Sequence, residues 1–86
     1  MTLPIYRLWR VAIDDHAPID ANERTAAGAA ISAVVMLVPR AERRGWTHPF
    51  PYHTAHVRGP DGATTEVAVW FDPDGHPRTY TPGEAP

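Results

Sequence analysis

The sequence predicts an α+β domain ordered β-α-β-β-β, with an antiparallel sheet and one principal helix packed on one face. Three observations lead there. Leu3 to Asp14 alternates with a period of two, as a strand does. The alanine-rich stretch from Ala21 to Val38 carries apolar residues at helical spacing. From Tyr52 onward, segments rich in β-branched and aromatic residues are separated by Gly59-Pro60-Asp61-Gly62 and Asp72-Pro73-Asp74-Gly75, sequences suited to hairpin turns. Eighty-six residues suffice for one domain, expected over residues 1–81, with a frayed tail over 82–86.

In the first strand, Leu3, Ile5, Trp9, Val11 and Ile13 share a face that only Arg7 interrupts. The other face, Pro4, Tyr6, Leu8, Arg10 and Ala12, is half apolar, so both sides are expected to be covered, one by the helix and the other by a second subunit. Asp14-Asp15-His16-Ala17-Pro18 is turn chemistry. Asp20 stands three residues before Glu23, the spacing of a capping box, which predicts a helix starting near Ala21. Ala27, Ile31, Val34, Val35 and Val38 then form a helical stripe, and Pro39 should end it. Ala33 to Val38 is β-branched enough to read as strand as well, and periodicity leaves both readings open.

Pro39 to Gly45 has Pro at a first helical position and Gly after the last, the asymmetry of one short helical turn. Trp46 to Pro51 reads as an extended, proline-stiffened connector, followed by strands over Tyr52–Arg58, Ala63–Phe71 and Pro77–Thr81. With Arg58 opposite Ala63, Ala55 would face Glu66 and His53 would face Ala68. His53, Ala55, Val57, Glu66, Ala68 and Trp70 would then share one side, and Tyr52, His56, Val67, Val69 and Phe71 the other. Neither side is cleanly polar, a second indication of a sheet covered on both faces.

Composition narrows the chemistry. The absence of cysteine excludes disulfide scaffolds, thiolate zinc sites, iron–sulfur clusters and cysteine nucleophiles. Ser32 is the one serine and lies mid-helix without a nucleophile elbow. The net charge of −2 provides no field to attract DNA or an anionic membrane. The amino terminus lacks the basic and apolar regions of a secretory signal, and the near-apolar run Ala26 to Val38 is shorter than the roughly 20 residues of a membrane span. All eight basic side chains are arginine, and with abundant Ala, Pro and Gly this points to a GC-rich bacterial genome and a cytoplasmic protein. A chain this small buries only about 60% of its unfolded surface, so its stability calls for unusually good packing, a metal or self-association.

Three groups of residues could carry function. His48, His53 and His56 are possible ligands for zinc, nickel or copper, although His53 and His56, three apart on a strand, point to opposite faces. His53 and Glu66, diagonal neighbours in the register above, could form an acid–base pair, with His56 close by. The same residues equally suit a cross-strand polar pair, since no nucleophile or oxyanion donor completes a mechanism. Arg40, Arg43 and Arg44 with Trp46, joined by Arg58, could grip phosphates and stack a base, but Glu42 within the cluster and the acidic balance favour a solvated turn. Exposed aromatic residues beside arginine would suit a protein interface. The expectation is therefore a non-enzymatic protein-binding or regulatory module, a homodimer, without a cofactor or membrane association. It would bind through Tyr6 and Leu8 or by strand addition at a sheet edge. A small histidine- or metal-dependent enzyme and a weak nucleic-acid or phosphate-binding module are the alternatives.

Overall fold

A computed structural model describes residues 5–14, 16–45 and 52–81. Strands β1 (Arg7–Ile13), β2 (Ile19–Glu23), β3 (His53–Arg58), β4 (Thr64–Phe71) and β5 (Pro77–Tyr80) form one antiparallel sheet in the order β2-β1-β3-β4-β5. Helix α1 (Ala26–Leu37) packs on one face, and a 3₁₀ turn spans Arg40–Glu42. The α+β class is as predicted, but the order is β-β-α-β-β-β.

The additional strand corrects the predicted helix start. Asp20 and Glu23 do not cap a helix; they lie on β2, which pairs with β1 from Arg7↔Glu23 to Val11↔Ile19. The cap is Thr25, whose backbone is extended (φ −134°, ψ 160°) and whose Oγ1 accepts a hydrogen bond from the Gly28 N–H at 3.0 Å. The carboxyl end follows the sequence. Ala33 to Leu37 is helical, Val38 turns extended before Pro39, and Arg43 caps the end by donating to the Val35 and Val38 carbonyls at 3.3 Å.

The β3–β4 register also differs. Arg58 pairs with Thr64, not Ala63, because five residues close the hairpin, held by Gly59 N–H to Ala63 O and Gly62 N–H to Gly59 O, both 2.9 Å. Gly62 supplies the positive φ of 88° that this loop requires. A slip of one residue on one strand exchanges its faces. His53, Ala55, Val57, Val67, Val69 and Phe71 are all buried on the helix side, while Thr54, His56, Arg58, Glu66, Ala68 and Trp70 point the other way. The predicted mixture of polar and apolar residues on each face is thus replaced by an apolar side under the helix.

Val11, Ile13, Val34, Val57, Val67 and Val69 are fully enclosed there, each worth about 1.5–3 kcal/mol relative to exposure. Ala29, Ala30 and Ala33 bring the helix backbone close to these strand side chains. Among the described residues no helix is long and apolar enough to cross a membrane.

Candidate functional site

Two features stand out, a buried histidine clasp and an open groove between α1 and β2. The clasp begins at Asp14, which leaves β1 with φ 44°, a left-handed conformation that Asp tolerates better than most residues. Its carboxylate thereby turns back along β3. Oδ1 accepts from the Thr54 N–H at 3.2 Å, and Oδ2 lies 2.8 Å from His53 Nδ1. On the other side of the ring, Nε2 accepts from the Arg44 N–H at 3.0 Å, and the Arg44 guanidinium reaches Tyr52 O at 2.6 Å and Asp14 Oδ1 at 3.8 Å. Burial works to raise the Asp14 pKa, but the hydrogen bonds from His53 and Thr54, with the nearby Arg44 charge, outweigh it and hold the carboxyl below its ordinary value.

His53 is only 3% exposed and both ring nitrogens are engaged. The geometry requires the Nδ1–H tautomer, donating to Asp14 and accepting at Nε2, so neither nitrogen offers a lone pair to a metal or a substrate proton. The clasp joins the end of β1, the Arg44 segment and the start of β3. Glu66 is not part of it: Glu66 pairs with His56 on the opposite, exposed side, so the predicted neighbourhood of His53 and Glu66 does not form. His48 and Trp46 lie outside the described residues.

The arginines are dispersed in role. Arg40 is exposed on the 3₁₀ turn, Arg43 lies 5.3 Å over the Phe71 ring while capping α1, and Arg44 belongs to the clasp. Arg58 stands on the helix-free side of the sheet, opposite Arg10. Asp72, Asp74 and His76 bring potential ligand atoms within 4.8 Å of one another, at a place the sequence marked only as a turn. Asp72 Oδ1 accepts the N–H groups of Asp74 and His76 at 3.0 and 2.8 Å, and Oδ2 pairs with Arg78 at 3.1 Å, so this carboxylate closes the hairpin. No protein-family model matches the chain, and comparisons with curated proteins and with solved structures return no match.

The groove has a different character. Helix α1 reads AAGAAISAVVML and contains no charged residue. One side is buried in the core, yet Val35 and Met36 on the outside are 47% and 60% exposed. Val35, predicted to belong to the core stripe with Val34 and Val38, instead faces outward. Between this side of α1 and β2 runs a groove of about 460 Å³, lined by Ala21, Asn22, Glu23, Ile31, Val35 and Met36 among others. Glu23 is fixed at its wall, where its side chain accepts a hydrogen bond from Ser32 Oγ and its carbonyl accepts from Trp9 Nε1 at 2.7 Å.

Tyr6 and Leu8, the binding residues expected from sequence, do not line this groove. Leu8 is 60% exposed on the helix-free side of the sheet, opposite Asn22, and the exposed Tyr6 ring sits beneath the Arg24 guanidinium at 4.8 Å. The outward position of Val35 and Met36 has its sequence signal in the absence of charge from residue 26 to residue 37.

Proposed function

We propose that the protein is a non-enzymatic protein-binding module that works by self-association as a homodimer. The observation that carries this reading is α1, a twelve-residue helix without a charge whose outer residues Val35 and Met36 stand exposed beside a sheet edge. A surface helix normally turns a charged face to water, and one that is apolar all round is normally covered. Its position supplies what strand addition needs, an edge at β2 that no other described strand pairs with and an apolar shelf above it. Both His53 nitrogens are engaged, which gives that ring a structural role in the clasp. A bacterial cytoplasm is the setting this proposal assigns, in keeping with the cysteine-free, arginine-only composition.

Size-exclusion chromatography of the wild-type chain and of Met36→Glu tests the reading. The wild type is expected to elute as a dimer at micromolar concentration and Met36→Glu as a monomer with an unchanged circular dichroism spectrum, while Leu8→Ser remains dimeric. A monomeric wild type overturns the proposal. Loss of the dimer in Leu8→Ser alone would move the interface to the helix-free side of the sheet.

A further inference from the structure

We infer that two copies join through β2, antiparallel and centred on Ala21, to make one ten-stranded sheet with the two α1 helices side by side above the seam. This rests on the self-association proposed above and specifies its geometry.

The two edges of the sheet are unequal. β5 has four residues, begins with Pro77, which has no N–H to donate, and carries Arg78. Short length, proline and positive charge are the usual devices that keep an edge from templating another strand. β2, Ile19-Asp20-Ala21-Asn22-Glu23, has no proline, its two carboxylates are engaged by Arg10 and Ser32, and one side of its backbone pairs with no other strand among the described residues. With one receptive edge per chain, β2 can meet only another β2, which gives an isologous contact that closes at two copies and does not grow into a filament.

Across a two-fold axis normal to the sheet, opposed residues must come from the same face. Centring on Ala21 sets Asp20 against Asn22 of the second copy, twice, and uses all five residues of the strand. Centring on Asp20 opposes two carboxylates, which is repulsive in a cross-strand pair. Centring on Asn22 leaves Ile19 without a strand partner. The Ala21 register therefore gives a carboxylate facing an amide donor on each side of the axis, with Ile19 opposite Glu23 at the two ends and Arg10 already 3.5 Å from Asp20 on its other side.

Ala21 lies on the helix side of β2 and lines the groove, whose helix wall is formed by Ile31, Ser32, Val35 and Met36. A second copy in this register brings the same side chains to the same seam, so each charge-free helix covers the other.

Disulfide mapping tests the geometry, because the chain has no cysteine of its own. Asp20→Cys and Asn22→Cys are both on the exposed side of β2. Directly opposed Cα atoms lie about 4.5–5.5 Å apart, within disulfide reach, whereas Asp20 to Asp20 or Asn22 to Asn22 across the axis is a diagonal of roughly 7–8 Å, at or beyond it. The two variants, unfolded, mixed and refolded together under mild oxidation, are expected to give a covalent dimer several-fold more abundantly than either alone. Sedimentation of the reduced proteins accompanies the assay. If they are monomers, self-association itself fails. If they are dimers and the mixture cross-links no better than the single variants, β2 pairing is overturned and self-association stands.

Discussion

His53 Nδ1 sits 2.8 Å from the Asp14 carboxylate across 39 positions of sequence, and this pair fastens the end of β1 to the start of β3. Its other partner, the Arg44 N–H, ties in the segment that follows α1, so three parts of the chain depend on one buried ring.

His53→Ala leaves the Arg44 N–H without its partner and takes from Asp14 one of its hydrogen bonds while that from the Thr54 N–H remains, and a loss of about 1–3 kcal/mol is expected for the stranded N–H. Urea unfolding measures it. Nitrogen-15 NMR of the ring is expected to show the Nδ1–H tautomer.

The depressed pKa of Asp14 makes part of the stability dependent on acid. The folded carboxyl holds its proton less tightly than the unfolded one, whose reference value is 3.8, so the unfolded chain binds more protons in this range. The Asp14 contribution is fully present above the unfolded value and is lost as pH falls through the folded one. Asp14→Asn keeps a residue suited to φ 44° while removing the charge, and it is expected to flatten this part of a stability–pH curve.

At the helix start, Thr25→Ala is expected to cost about 1 kcal/mol through loss of the cap to Gly28. Asp20→Ala leaves that cap untouched. Thermal melts of the two variants separate a cap at Thr25 from the capping box suggested by Asp20 and Glu23.

Gly75→Ala places a side chain at φ 87°, where space is open but the backbone is strained for any residue with a Cβ, and a loss of roughly 1–2 kcal/mol is expected. Denaturant titration checks it, with Gly45→Ala as a comparison site lacking a positive φ.

The parts of the fold legible in the sequence were those governed by local chemistry. Pro39 stopped the helix, Gly62 and Gly75 marked the hairpins, and Trp9, Val11 and Ile13 announced the buried face of β1. β2 was not legible because Asp20, Ala21, Asn22 and Glu23 have little β propensity; the strand exists through its pairing with β1. Asp20 and Glu23 also imitate a cap that Thr25 actually provides. The β3–β4 register turned on whether four or five residues closed the loop, and that single residue decided which side of the sheet held Glu66. The clasp was hidden for a further reason: Asp14 reads as a solvated turn until the fold brings β3 beside it. The groove is the reverse case: the charge-free run of α1 is in plain view, but helical spacing puts Val35 in one stripe with Val34 and Val38, and only the packed helix shows it turned outward.

The mass of the unmodified chain in solution tests self-association most directly. Sedimentation equilibrium across the micromolar range is predicted to give twice the 9.5 kDa of a single chain, with dissociation on dilution. A mass of 9.5 kDa at every concentration would contradict it.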